Sequence, residues 1–440
     1  MKNYFPPSTS IPLASRHLTR EYFSQDIVRL ISREIGLHLL NDIKNPTETS
    51  SNEGKALFNA LWIIQSFHPH GILLSLDRLD HIARQLQINP VFSSADDDLR
   101  AKCLLIMSTM ETERFVPAHA GEQYYDLENS FLYSAFQGKP TIPLTLVSIF
   151  CALADQCHIK ARPIGFPGEV MAVVESTSDT RTNALIISVF HRQILSLDEV
   201  NDRFADAYDE PLAHPLPITP INELIIRSAR NMIHSISRYP TSGLNSYGLY
   251  ASVSILKILE GGAIRFTQDS MIDVLKEHFP LDVKFFQRLS PSTTIDDLHL
   301  VPIEEKRRHE NSPPEFCIGQ IFQHRQYHYW GVIWGWDSIC RASTAWQLQM
   351  AIGSLQRGAL QPFYHILTSD CPRRYVAEDN IDIIAFHSLT NDEEKQSIVQ
   401  KLCDIDDIGK HFSQVDTQRG KFLPNLELRM EYPDDCPLTD

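Results

Sequence analysis

The sequence contains no run of about 18 apolar residues, so it offers no segment suited to span a membrane, and no membrane partner is expected. None of its eight cysteines forms a Cys-x-x-Cys pair, and the two tight ligand pairs of a structural zinc site are missing. No metal and no cofactor is expected. The first twenty residues have no apolar stretch behind a basic start, so they do not read as a secretory signal. Internal repeats and long low-complexity segments are also absent. Positive charge is scarce: 40 Lys and Arg stand against 55 Asp and Glu, a net charge of −15. That balance excludes a generic polyanion binder, whose affinity comes from clustered cations.

What is present is ordinary globular material. Hydrophobic residues make up 43 % and charged residues 22 % of 440. At about 100–200 residues per domain, two or three domains are expected. Unpaired thiols in a chain this long suit a reducing compartment, so a cytoplasmic or nuclear protein with protein or small-molecule partners is the expectation. Residues 1–20 read as a loose polar end. Ile27, Leu30, Ile31, Ile35 and Leu39 recur at helical spacing over 21–43. Further helices are expected over 53–67, and after Ser75 as N-cap, with Leu76, Leu79, Ile82, Ala83 and Leu86 on one face. Residues 143–157 are apolar almost all round, the pattern of a buried helix, with Pro143 in its first turn. Strands are expected over 170–174 and 185–190. Pro211, Pro215, Pro217 and Pro220 mark a linker or rigid turn. Helical pattern resumes over 221–236 and 246–290. The fold class expected is α+β.

Near residue 305 the composition changes. Glu304 to Glu310 is a charge run that reads as a solvated linker, and Asn311 to Pro314 is a breaker cluster. Four of the five tryptophans (Trp330, Trp334, Trp336 and Trp346) follow in a Gly-punctuated, β-like stretch. Alternation along one strand puts Trp330, Val332, Trp334 and Trp336 on one face. They are either core or an aromatic groove for a peptide or a base. Asp337 and Arg341 flank the stretch and read as closing a turn. From Pro314 to Phe386 five arginines meet six carboxylates, with no lysine, a net charge of −1. Residues 391–412 read as a helix, followed by an acidic tail.

Three segments carry a resemblance: Asn129-Ser130-Phe131-Leu132, Pro140-Thr141-Ile142-Pro143-Leu144-Thr145-Leu146 and Gly165-Phe166-Pro167-Gly168-Glu169-Val170. Their order is similar to the transglutaminase-like domain of the Sir-B type, over about residues 50–240. That resemblance implies a helical domain with a small sheet. In active relatives a helix-N-terminal Cys, a His and an Asp form a triad. Here the resemblance puts Pro143 at the nucleophile position, Glu169 at the His position and Ser188 at the Asp position. It thus implies a degenerate domain without thiol acyl transfer. The alternative is a rearranged thiol site built from Cys151 or Cys157 with His158, His191 and Asp198.

A second resemblance rests on Cys317-Ile318-Gly319-Gln320-Ile321, Tyr327-His328-Tyr329-Trp330, Gln361-Pro362-Phe363-Tyr364 and Arg374-Tyr375-Val376-Ala377-Glu378-Asp379-Asn380-Ile381. The series resembles the YccV/HspQ family, named for hemimethylated-DNA binding, and implies a small SH3-like β barrel. Tyr327, Tyr329, Trp330, Trp334, Trp336, Tyr364, Arg374, Tyr375 and Glu378 are its candidate ligand- or partner-binding residues. The family label implies DNA binding, and the local charge argues against it.

The two domains in this order resemble the family of F-box only protein twenty-one and its fungal relatives. That resemblance implies a substrate receptor of a cullin–RING ubiquitin ligase, with a protein client and a Skp-type adaptor as partners. Residues 1–50 carry one helix and no Leu-Pro-x-Glu F-box opening; Ile11-Pro12-Leu13 stands there instead. The domain expectation is a tail and helix over 1–50, a transglutaminase-like domain over 51–305, a YccV-like domain over 314–390 and a helix with acidic tail over 391–440. Non-catalytic recognition, DNA binding and thiol catalysis are the three functions weighed.

Overall fold

The computed structural model describes residues 12–44, 53–71, 76–93, 98–119, 121–175, 184–208, 210–213, 216–239, 245–260, 278–283, 303–308, 314–369, 373–417 and 419–435. It is α+β, and the chain divides into two units. Arg29–Thr294 forms one; Met1–Val28 together with Ile295–Asp440 forms the other. The division falls inside the first helix, α1 (Leu18–Lys44).

In the helical unit, α2 (Glu53–Ile64), α3 (Asp77–Gln87), α4 (Pro90–Ser93), α5 (Leu99–Thr112) and α6 (Leu132–Phe136) precede α7 (Pro143–Gln156). Every residue of α7 from Pro143 to Ala154 is buried. Having no polar stripe, this helix must be covered on all sides. Helices α2, α3, α5 and α6 pack on it, as do strands β1 (Ala161–Gly165) and β2 (Val170–Val174). Strands β3 (Leu185–Ser188) and β4 (Gln193–Leu195) complete an antiparallel sheet in the order β1-β2-β3-β4. The outer strands are not expected from the sequence: β1 carries Arg162 and Pro163 in place of an apolar run, and β4 is only three residues long. The strand expected over 185–190 stops at Ser188, where a turn begins.

Helix α8 (Leu197–Arg203) starts on a Ser196–Glu199 capping box. Helices α9 (Ile221–Arg238) and α10 (Asn245–Glu260) pack against each other. The Ser75 cap lies outside the described residues; α3 begins after Leu76, which supplies no side-chain cap. Most of the helical pattern expected beyond 260 also lies outside them. Within this unit, Arg33 of α1 grips Asp282 with two hydrogen bonds of 2.8 Å, both side chains nearly inaccessible. Removing one partner of such a pair costs about 3–5 kcal/mol, because it strands a buried charge.

The second unit is built on a five-stranded antiparallel sheet: β5 (Ile321–His324), β6 (Trp330–Asp337), β7 (Phe363–Thr368), β8 (Arg374–Ala377) and β9 (Ile381–Asp382), in the order β8-β7-β6-β5-β9. Helix α11 (Thr344–Gln349) lies in the β6–β7 connection. The alternation expected along β6 breaks at Trp334. Ile333 pairs with Ile366 and Gly335 with His365, so Trp334 is the extra residue of a β-bulge. Val332, Ile333, Gly335 and Trp336 are all buried, and neither face of β6 is a solvent face.

The described part of the segment expected as a helix and acidic tail folds into the same core. Helices α12 (Ile384–Ser388), α13 (Asp392–Cys403) and α14 (Ile408–His411) lead into a hairpin, β10 (Phe412–Asp416) with β11 (Lys421–Pro424), and then α15 (Leu426–Glu431). Ile398, Leu402, Phe412, Phe422 and Tyr432 pack in one cluster with Phe322, Val332 and Tyr364. Leu18 joins that cluster, and Arg16 pairs with Glu21 at 2.7 Å and Asp404 at 3.4 Å. The described part of the polar N-terminal end is therefore not loose. Gly319 joins the hairpin to the sheet: its N–H donates to Ile333 and its carbonyl accepts from Phe422, each at 2.8 Å. Its φ of +84° and the Phe422 carbonyl, 2.0 Å from where a Cβ would stand, both require glycine.

The Glu304–Glu310 run is not a solvated linker over its described part. Arg307 meets Asp434 at 2.8 Å, and Arg308 pairs with Asp435, whose side chain is fully buried. Among the described residues no helix is long and apolar enough to cross a membrane.

His411 is buried and stacks on Trp334, ring centroids 4.3 Å apart. Burial, aided by Lys410, Arg373 and His365, lowers its pKa from 6.5 to about 3. The folded state therefore holds a neutral imidazole, while the unfolded chain protonates it below about pH 6.5. Stability should fall as pH drops from 6.5 towards about 3. His411→Phe, which keeps the ring, should flatten that part of the curve. Denaturant unfolding at a series of pH values measures this, and parallel curves for the two proteins would refute it.

Candidate functional site

The three positions expected to replace a triad come together through local structure. Ile142 is extended and hands the chain to α7 at Pro143, whose missing N–H costs nothing in a first turn. Glu169 closes the β1–β2 hairpin across Pro167-Gly168, where Phe166 N–H donates to its carbonyl at 2.8 Å. Ser188 ends β3, and the turn to β4 carries His191 back beside it. Arg203 ends α8. Tyr124, Pro143, Pro167, Glu169, His191 and Arg203 line a cleft of about 240 Å³.

Glu169 is 5 % exposed; its Oε1 is hydrogen-bonded and its Oε2 is ion-paired without a hydrogen bond. Ser188 Oγ donates to Oε1 at 2.5 Å, and His191 Nδ1 lies 3.2 Å from the same oxygen. Arg203 Nη2 stands 3.0 Å from Oε2, an ion pair rather than an aligned hydrogen bond. Ser188 Oγ also accepts from the His191 backbone N–H at 3.3 Å and lies 3.0 Å from Nδ1. In a nucleophilic relay the hydroxyl and the carboxylate face opposite ring nitrogens. Here both face Nδ1, and Ser188 is fully buried. This geometry holds the ring in place and presents no nucleophile.

The thiols are elsewhere. Cys151 and Cys103 are completely buried, and Cys157 is 7 % exposed at the end of α7. Burial pushes the Cys157 thiol up to about 11, and burial with Asp98 pushes Cys103 to about 12; Cys151 is raised further by burial and Cys103. His158 and Asp198 are exposed. Of the rearranged set only His191 reaches the cleft, and no described cysteine lines it. Among the described residues no group of three His, Cys, Asp or Glu is arranged to hold a metal.

The aromatic candidates of the second unit separate by burial. Trp336 is 4 % exposed and its Nε1 donates to Asp435 at 3.0 Å. Tyr364 is fully buried; its hydroxyl donates to Glu378 at 2.5 Å and accepts from Phe316 N–H at 3.0 Å. Glu378, 6 % exposed, also accepts from Arg357 and from Glu315 N–H, both at 2.8 Å. These three hold the unit together from inside. Trp330 and Trp334 are half-buried, edge-on to Phe386 and stacked on His411 respectively. Arg374 lies over the Tyr329 ring at 4.4 Å. Tyr375 donates to Asp337 at 2.8 Å, and Tyr327, at 63 % exposed, is the one candidate that stands largely in solvent.

Sequence reasoning missed Arg203, whose role depends on a partner 34 positions away, and it read Asp337 as a turn residue. Asp337 in fact accepts from Tyr375 and lies 3.1 Å from His365 Nε2. Burial would raise its pKa, but those two partners and Lys306 lower it to about 2. No signal in one sequence points to either residue.

Residues 75–220 match the transglutaminase-like superfamily, and residues 314–419 match the family described as hemimethylated DNA-binding protein YccV like. Over 137 residues, 31 % of the chain, the sequence is 34 % identical to F-box only protein 21 of Mus musculus, of Pongo abelii and of Homo sapiens. That stretch is 20, 20 and 19 % of those proteins, so the match spans about a fifth of the length of these relatives. No solved structure matches the chain. The chain thus carries a region similar to transglutaminase-like domains followed by a region similar to the YccV-like family, and 137 of its residues are similar to F-box only protein 21.

Proposed function

We propose that the chain is a non-catalytic recognition protein that captures a protein client, in the manner of an F-box-type receptor that brings substrates to a cullin–RING ubiquitin ligase. One observation carries the reading. At the helix N-terminus that the resemblance assigns to an acyl-transfer nucleophile there is Pro143, in one cleft with a Glu169 that already meets Ser188, His191 and Arg203. The similarity to F-box only protein 21 supports the ligase context. Client capture needs no reacting atom, and the loss of such atoms leaves the cleft walls intact.

Two experiments test it. A thiol-directed activity probe at pH 7 should label neither Cys151 nor Cys157 in the folded protein, since burial keeps both protonated. Labelling of either would restore thiol catalysis. Affinity purification at native expression should recover a Skp-type adaptor with a cullin, together with a defined client. A client without the adaptor would overturn the ligase assignment alone, and recovery of neither would overturn the whole reading.

DNA binding is the second reading, favoured by the match of residues 314–419 to a family named for hemimethylated DNA. Charge opposes it. Arg357 pairs with Glu378 and Asp379, Arg307 with Asp434, Arg308 with Asp435 and Arg373 with Asp407, so these cations already have carboxylate partners. Titration against hemimethylated and unmethylated duplexes at physiological salt should show no preference, and affinity no better than the roughly 10⁻⁴–10⁻⁶ M of non-specific contact. A tight, methylation-dependent isotherm would reverse the order of the two readings.

A further inference from the structure

The network around Glu169 uses one ring nitrogen of His191 and leaves the other over. Ser188 has a single hydroxyl proton, and the 2.5 Å contact gives it to Glu169 Oε1. The two oxygens beside His191 Nδ1, Ser188 Oγ at 3.0 Å and Glu169 Oε1 at 3.2 Å, therefore both accept. A bare Nδ1 would face two lone pairs, so Nδ1 carries the ring proton. Arg203 Nη2, the longest contact at 3.4 Å, is drawn to Glu169 Oε2 at 3.0 Å. In the neutral ring Nε2 is then a hydrogen-bond acceptor. It has no partner among the described residues. The His191 side chain is 43 % exposed, and its Nδ1 edge is the one held by protein, so the Nε2 edge is the open one.

The surroundings select what donates to it. Tyr124, Phe190 and Phe204 line the same cleft, each half-buried. Phe190 meets Tyr124 and His191 edge-on at 6.2 and 5.2 Å, and Phe204 is fixed by stacking on Phe166 at 4.9 Å. Rings held in this way offer an incoming ring further edge and face contacts. A donor stands there too. The Arg203 side chain is 35 % exposed and lies over Phe204 at 5.8 Å, and its Nε and Nη1 have no partner among the described residues. Drug-sized ligands fill about 300–1,000 Å³, so a cleft of about 240 Å³ suits a single side chain. Glu169 and Arg203 cancel in charge, which favours a neutral group.

We infer that this cleft takes a tyrosine side chain of the client. The phenol donates its O–H to His191 Nε2, accepts from the Arg203 guanidinium and lays its ring against Phe190 and Phe204. Tryptophan donates and cannot accept, phenylalanine does neither, and the hydroxyls of serine and threonine bring no ring. That the tyrosine belongs to a client rests on the receptor reading above; the fit of a phenol to the cleft does not.

The test uses the full chain and the probe N-acetyl-tyrosine N-methylamide, followed by saturation-transfer NMR on the ring protons. The phenylalanine and O-methyltyrosine counterparts lack the phenolic donor and should bind about fivefold more weakly, the worth of one hydrogen bond. His191→Phe keeps a ring and removes Nε2, so the tyrosine and phenylalanine probes should bind it alike. Arg203→Lys keeps a cation beside Glu169 and withdraws the free guanidinium N–H groups, so the preference for tyrosine should shrink; this variant decides the matter if His191→Phe does not fold. Absence of transfer to the tyrosine probe, or equal affinity for the phenylalanine probe, overturns the inference, as does a preference unchanged in both variants. Recovery of adaptor and client from cells alongside such a failure would leave the receptor reading standing without this site.

Discussion

A helix without a polar face has to be enclosed, and the helical unit is arranged around that requirement. From Pro143 to Ala154 every residue of α7 is buried. Four helices cover it on some sides, and the first two strands of the small sheet cover it on others. The enclosure sets the chemistry. Sulfur on or near α7 lies in the interior, where ionisation is suppressed, and Pro143 in the first turn lines a surface cleft. The residue presented there is Pro143, which has neither a reactive atom nor an N–H. The polar groups facing it neutralise one another, Glu169 against Arg203 with Ser188 and His191 beside them. Tyr124, Phe190 and Phe204 add aromatic rings to the cleft lining, and its carboxylate is ion-paired to Arg203.

The second unit solves a different problem, that of a small sheet too thin to enclose its own apolar residues. Two buried carboxylates organise the solution. Glu378 gathers a tyrosine hydroxyl, a backbone N–H and a guanidinium. Asp435 gathers Arg308, the Trp336 indole and the Ile318 N–H. Each joins segments far apart in sequence. Charge used in this way is taken up inside the unit, with the guanidinium groups of Arg357 and Arg308 each serving a buried carboxylate.

Much of this was legible in the sequence wherever pattern alone decides structure. The all-apolar run over 143–157 is a buried helix, the strand over 170–174 is where its apolar run puts it, and the α+β class holds. Of the three positions identified by resemblance, Glu169 and Ser188 share one hydrogen-bond network and Pro143 lines the same cleft as Glu169. Legibility fails where a single inserted residue or a distant partner decides the outcome. Period-two reasoning cannot anticipate a bulge, so the Trp334 face was misjudged. Tyr364 and Glu378 look like groove residues from their motifs, yet each finds its partner inside the protein. The acidic character of the last residues suggests a tail, and nothing local indicates that Asp434 and Asp435 have arginines waiting more than a hundred positions earlier.

The hairpin held by Gly319 bears on how the chain can be divided. The stretch related to the YccV-like family ends at residue 419, between the two strands of that hairpin. A fragment trimmed to this border would lose Phe422 from the core, the Tyr432 hydroxyl that accepts from Trp336 N–H, and the carboxylate beneath Ile318. The stretch that matches the family and the stretch that packs as one core are therefore different here, and the sheet rests on neighbours that lie beyond residue 419.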